Sequence, residues 1–310
     1  MRILSVRWIV ACAAIAAACG GSSDETATAV TGEEYLAKVQ AFRDKHEADY
    51  RRDYVSIAGL HFLEPGVHAV GSGPGNDIVL SARVPPTIGR ITVGDGFVRY
   101  EPEEGVTVLR RDQPATAPIV LKEPGSQPAD EIVIGDVSLV VHLSGERLSL
   151  RVRDPGGEYA TAFRGFTWFR VDPSYQVTGR FIRDPEPRKV TVVNTFNDLT
   201  EYTTEGVVEF DLHGRTLRLR PFTTRPGRLF FVFRDASGGE ETYKTARFLY
   251  ADLADDGTTV LDFNQAYNPP CAFNPYTTCP IPLPENALPV KVLAGEKAYP
   301  VEVALPGTKS

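Results

Sequence analysis

A cluster of polar side chains lies near the C-terminal end of the sequence, where residues 261–279 read LDFNQAYNPPCAFNPYTTC. Asp262, Asn264, Tyr267 and Asn268 bring a carboxylate, two amides and a phenol within seven residues. On an extended strand Asp262 and Asn264 would share one face, with Phe263 on the other. Such a set suits a cradle for a polar ligand, or equally a network that satisfies the backbone of an irregular loop. Arg247 stands beside Phe248, near Tyr243. Its planar fork can clamp a carboxylate or phosphate, or it can be the buried partner of Asp262. Trp168, with Phe163, Phe166 and Phe169, fits core packing or a platform on which a ring stacks. The candidate ligand-binding set is therefore Arg247, Asp262, Asn264, Tyr267, Asn268 and Trp168. Cys271 and Cys279 are spaced unlike the Cys-x-x-Cys of zinc or thioredoxin-type sites, which leaves a disulfide, buried thiols or a nucleophile with its resolving partner.

Other signatures are sparse. His46, His61, His68, His142 and His213 show no His-x-His or His-x-x-x-His pairing. His61 and His68 flank Glu64-Pro65-Gly66, and a hairpin there would set them face to face. The sequence has no Gly-x-Ser-x-Gly elbow, Walker loop or dinucleotide glycine pattern, so no cofactor and no metal are expected. The formal net charge of −7 argues against nucleic acid, whose phosphates need a basic face.

The first residues carry an address. Arg2 and Arg7 flank a basic start, and Trp8 to Ala18 form an apolar run of signal-peptide length, too short to span a bilayer. Ala16-Ala17-Ala18-Cys19 before Gly20-Gly21-Ser22-Ser23 resembles a bacterial lipobox and tether. On that resemblance residues 1–18 are a signal peptide, Cys19 is the lipidated first residue, and 19–30 form a flexible tether. An ordinary secretory signal cut near the same alanines is the alternative. Either way export is expected, and the lipid would anchor the chain to a membrane of the cell envelope. Cys271 and Cys279 then form an even pair in an oxidising compartment, where a disulfide between them is the default expectation.

The elements that must position these residues are mostly strands. Thr31 and Glu34 have capping-box spacing, and Tyr35, Val39, Phe42, His46 and Tyr50 recur at steps of four and three, which predicts a helix over roughly 32–52. Runs at 106–110, 131–143, 147–154, 189–196, 207–212, 216–220 and 228–235 are rich in β-branched and aromatic residues. Ser144-Gly145 and His213-Gly214 sit between such runs as hairpin turns. The expected fold is all-β: an N-terminal helix, then two packed sandwich- or barrel-like halves. The halves are 31–155 and 156–310, divided near Asp154-Pro155-Gly156-Gly157. Seven prolines between Pro269 and Pro289 break any continuous strand or helix over 262–289. Its aromatic and cysteine content marks an ordered loop packed on the second half, and ordered long loops are often functional.

Two family resemblances follow. Gly71, Asn76-Asp77-Ile78-Val79-Leu80 and Ile134-Gly135-Asp136 make residues 67–143 similar to a forkhead-associated domain, a β-sandwich whose active members bind phosphothreonine. Those members place an arginine where this chain has Ser72, and Ser-x-x-His where it has Val84-Pro85-Pro86-Thr87-Ile88-Gly89. The resemblance thus implies the sandwich without phosphothreonine-peptide binding. Asp262-Phe263-Asn264, then Ala-Tyr-Asn-Pro-Pro-Cys-Ala-Phe over 266–273 and Cys279-Pro280, resemble the bacterial and archaeal family known as domain of unknown function 1684. Upstream, Ile57-Ala58-Gly59-Leu60, Phe166-Thr167-Trp168-Phe169 with Asp172 and Tyr175, Thr242-Tyr243 and Arg247-Phe248-Leu249 resemble it too. That family implies no activity. The residues themselves suit a lipid-anchored envelope protein that binds a small polar ligand or envelope partner through the 262–279 loop. An extracytoplasmic hydrolase, with Asp262 as general base or nucleophile and Arg247 stabilising charge, is the second reading. A purely structural envelope protein is the third.

Overall fold

The computed structural model describes residues 32–110, 112–121 and 130–300. The expected signal peptide and tether, with Cys19, fall outside the described residues. Helix α1 (Gly32–Tyr50) opens the described chain and runs into one π-helical turn, Arg51–Val55. It buries Tyr35, Val39, Arg43, His46 and Tyr50, the face its periodicity marks, with Arg43 fully turned in and Phe42 partly buried.

Among the described residues the strands form four sheets. In the first half, one sheet has the order Ile57–Phe62, Arg147–Arg153, Val137–Ser144, Glu131–Ile134, Leu109–Arg110, Gln113–Pro114. The other runs Ile78–Val79, Gly66–Gly71, Gly89–Gly94, Phe97–Pro102, Ile119–Leu121. Val70, Ile91 and Tyr100 of the second sheet share one core with Ile132, Leu139 and Leu150 of the first, so this half is a sandwich. The run at 131–143 is two strands of a hairpin, not one. His61 and His68 stand on different sheets, because their strands pair with Arg147–Arg153 and Gly89–Gly94 and not with each other. In the segment expected to resemble a forkhead-associated domain, the 72–76 loop lies against 84–87. Ser72 donates from its N–H to Pro85 O (3.0 Å) and from its Oγ to Val84 O (2.8 Å). A Cβ at Gly71 would stand 2.2 Å from Pro86 O, so only glycine permits this approach.

The second half has one sheet in the order Arg215–Leu219, Leu199–Leu212, Gln176–Val193, Thr258–Asp262. A smaller sheet runs Phe222–Arg225, Arg228–Phe233, Arg247–Asp252. Phe210, Phe231, Phe233, Leu249 and Phe263 fill the core between them. No sheet closes on itself among the described residues, so the halves are open-sheet layers and not barrels. The long strands Gln176–Val193 and Leu199–Leu212 reach past their sheet, and their connecting turn docks on the first half. There Arg147 and Ser144 both donate to Asp198 (2.5 Å each), and Asn194 Nδ2 donates to Ser144 Oγ (2.9 Å). A third apolar cluster, including Tyr50, Phe230, Phe248, Tyr267 and Phe273, joins α1 to the second half. The 262–289 loop is a chain of short 3-10 turns, Phe263–Gln265, Pro270–Ala272 and Pro284–Asn286, and most of it is buried. No described helix is long and apolar enough to cross a membrane.

Candidate functional site

The strand Thr258–Asp262 ends at Asp262, and the chain tightens at once into a 3-10 turn. Asp262 and Asn264 therefore meet through that turn, not through strand alternation. Asp262 Oδ1 accepts from the Asn264 N–H (3.1 Å) and the Tyr35 hydroxyl (2.9 Å), and Oδ2 accepts from Gln265 (2.9 Å). Asn264 accepts from the Asp172 N–H (2.9 Å) and donates to Asp172 O (2.8 Å) and Tyr35 Oη (2.9 Å). Asn268 donates to Glu296 Oε1 (2.8 Å) and Lys297 O (2.7 Å). Asn274 and Asn286 repeat the pattern, donating to Tyr54 O and Ile57 O, and to Arg220 O and Val232 O. These four asparagines are fully buried. Each supplies the hydrogen bonds that a proline-broken backbone cannot make for itself. The polar set of the sequence is a network that ties the loop to the helix and the segments around it.

Arg247 pairs with Asp235 and not with Asp262. It is fully buried, and its Nη1 donates to Asp235 Oδ2 (2.9 Å) and Val292 O (2.9 Å), while Nη2 donates to Ala294 O. Gly295 makes room for this. Its φ is +78°, and a Cβ there would stand 2.3 Å from Ala266 O and 2.9 Å from Arg247 Nη2. Arg247 is enclosed by the core on every side, and although its Nε has no hydrogen-bond partner it has no face for a substrate. Removing it would leave the Asp235 charge buried, a cost of about 3–5 kcal/mol. Trp168 is half-buried under the Arg43 guanidinium (4.9 Å to the ring centroid) and among Phe42, His46 and Phe166, as a packing residue. Cys271 and Cys279 are free and buried, so the expected disulfide is absent. The Cys271 N–H donates to Cys279 Sγ (3.3 Å), and the Cys279 thiol donates to Thr277 Oγ1 (3.7 Å), which satisfies the pair in its reduced form.

A cavity of about 250 Å³ opens instead where the two halves meet α1. It adjoins a second of about 220 Å³, with which it shares His142, Thr278 and Pro280. Its walls come from distant parts of the chain. Tyr50 and Tyr54 arrive from the end of α1 and the π turn; Phe230, Phe248 and Tyr250 from the small sheet; Tyr267 and Thr277–Pro280 from the proline-rich loop. His142 and Arg151 come from neighbouring strands of the sandwich. There Leu139, Val141, Leu150 and Val152 point to the sandwich core, so strand alternation turns His142 and Arg151 outward to the second half.

The cavity is electropositive in an acidic chain. Arg151 Nη2 donates to His142 Nε2 (2.8 Å), and Thr278 Oγ1 lies 3.0 Å from the same nitrogen. Since a guanidinium only donates, Nε2 is the acceptor and His142 is neutral. Burial pushes its pKa down to about 3, and the charges of Arg151 and Arg153 push the same way. Burial and Arg153 lower Arg151 to about 10, which leaves it charged at neutral pH. Arg153 has Glu131 at 3.4 Å, whereas Arg151 pairs with no carboxylate among the described residues and its Nε has no hydrogen-bond partner. Neither cavity is lined by an aspartate or glutamate. The arrangement can hold an anion.

The family described as protein of unknown function (DUF1684) matches residues 161–297. Those residues belong to that family. The DUF1684 segment carries the small sheet and the loop, and so one side of the cavity; Tyr50, Tyr54, His142 and Arg151 precede it. The chain is also similar to an uncharacterised protein of Haloarcula marismortui with a solution NMR structure, at 32% identity over 45% of this chain and 80% of that one, with a TM-score of 0.38. No protein of curated function matches.

Of the six residues the sequence nominates, Tyr267 alone lines the cavity; Cys279 stands beside it. His142 and Arg151 escape notice because they sit at the non-core positions of their strands. A period of two separates core from outside, and it does not tell water from a second layer of protein.

Proposed function

We propose that this is an exported, lipid-anchored envelope protein that binds a small polar ligand in the cavity between its halves. The observation that carries the reading is the composition of that cavity: among the described residues, one arginine without a carboxylate partner, no lining acid, and aromatic walls with phenol groups drawn from separate elements. A small concave site with few convergent polar groups on an apolar wall is the usual form of a ligand pocket. The export half of the reading rests on the Arg2–Cys19 sequence alone. Asp262 and Arg247 are spent on structural contacts, which leaves the hydrolase reading without its base and its stabilising charge.

A panel of small polar compounds, both charged and neutral, tested by ligand-observed NMR reads out the binding. Some members should bind wild type and lose binding in Thr278→Trp, which fills the shared wall of the two cavities. If no member binds, the ligand reading fails and a structural envelope role takes its place. Intact-mass measurement of membrane-extracted protein should give a lipidated chain beginning at Cys19; a soluble chain beginning elsewhere contradicts the anchor.

A further inference from the structure

The Arg151 cavity also specifies what it takes. We infer that its ligand is a small aromatic carboxylate, with the carboxylate on the Arg151 guanidinium and the ring against the wall of Phe230, Phe248, Tyr250 and Tyr267. This rests on the ligand-binding reading and narrows it.

Charge comes first. Arg151 is half-buried, and a guanidinium drawn out of water without a carboxylate is costly; no protein acid relieves it among the described residues. His142 accepts one Nη2 hydrogen bond and contributes no charge, so the remaining donors of a planar fork await a planar acceptor. A carboxylate matches that fork with two parallel hydrogen bonds. The Thr278 hydroxyl, which donates to His142 Nε2 at 3.0 Å, borders the same spot.

Shape comes second. The walls away from Arg151 are rings: Phe230 stacks on Tyr250 with centroids 4.6 Å apart, and Phe248 meets Tyr267 edge-on at 5.9 Å. Flat apolar walls of this kind take a flat apolar body. A dry cavity of ~150 Å³ is enough for benzene, so about 250 Å³ accommodates one ring and a carboxylate. The cavity falls short of the ~300–1,000 Å³ usual for larger ligands. A tetrahedral inorganic anion would satisfy the fork and leave the aromatic walls bare.

The test is calorimetric titration of the wild-type protein with benzoate, its neutral isostere benzamide, and inorganic phosphate. Benzoate should bind at least tenfold tighter than benzamide, and phosphate more weakly than benzoate. Arg151→Met should erase the preference for benzoate, and Arg151→Lys should keep part of it. Equal binding of benzoate and benzamide overturns the inference, as does phosphate binding tighter than benzoate. The wild-type comparison stands even if Arg151→Met fails to fold. If members of the compound panel bind but benzoate does not, the inference falls and the ligand-binding reading survives; if nothing binds at all, both fall.

Discussion

Glu296 is a buried carboxyl whose titration reaches neutral pH. Its carboxyl is 1% exposed, and burial pushes its pKa up to about 8 although Asn268 donates to it and Arg247 lies near. The folded pKa is above the unfolded 4.5, so its contribution to stability is whole below that value and is lost as pH rises through about 8. His46 and His142 act in the opposite sense. Burial depresses them to about 4 and about 3, so their contributions are present above 6.5 and are lost as pH falls. From pH ~6.5 to ~8, Glu296 is therefore the one of the three that changes stability. The melting temperature of wild type should fall across that window, and that of Glu296→Gln should fall less; parallel curves would refute the assignment. Sequence alone shows Arg247 and Asp262 as charges amid apolar residues. It does not show their partners. Asp235 lies two residues beyond Phe233, which faces Arg247 across the same strand pairing, and Tyr35 reaches Asp262 from a helix 227 positions away.

At the scale of elements, the 262–289 loop is held by side chains in place of a ladder. Asn274 is its clearest rivet. It donates to Tyr54 O (3.1 Å) and Ile57 O (2.7 Å), which ties the loop to the π turn on the opposite side of the cavity, and accepts from the Tyr276 N–H (2.9 Å). Replacing it with alanine strands three backbone groups, at about 1–3 kcal/mol for each buried one left unpaired. Asn274→Ala should therefore lose at least ~2 kcal/mol of stability in chemical denaturation; a loss near zero would mean water replaces the amide. The helix, the ordered loop and several strands are legible from periodicity, β-branched runs and prolines. The strands Gly66–Gly71, Gly89–Gly94 and Phe97–Pro102 are harder to read, because their exposed ends and glycines dilute the alternation.

For the whole molecule, the site is a product of assembly. The sandwich supplies the cation, the DUF1684 segment supplies the aromatic wall, and α1 closes one side. The ion pair of Arg147 with Asp198 and the Ser144–Asn194 contact set the spacing between the halves, close to the second cavity. No stretch of sequence holds this site by itself, which is why the densest polar segment pointed to the loop's own scaffolding. The central claim is that the functional site is the cavity between the halves and not the Asp262–Asn268 cluster. A crystal structure of the protein grown in saturating benzoate tests it directly. Benzoate should occupy that cavity, its carboxylate hydrogen-bonded to the Arg151 guanidinium and its ring against Phe230 and Tyr267. A cavity without benzoate under those conditions, or benzoate bound at the Asp262–Asn268 cluster, would contradict it.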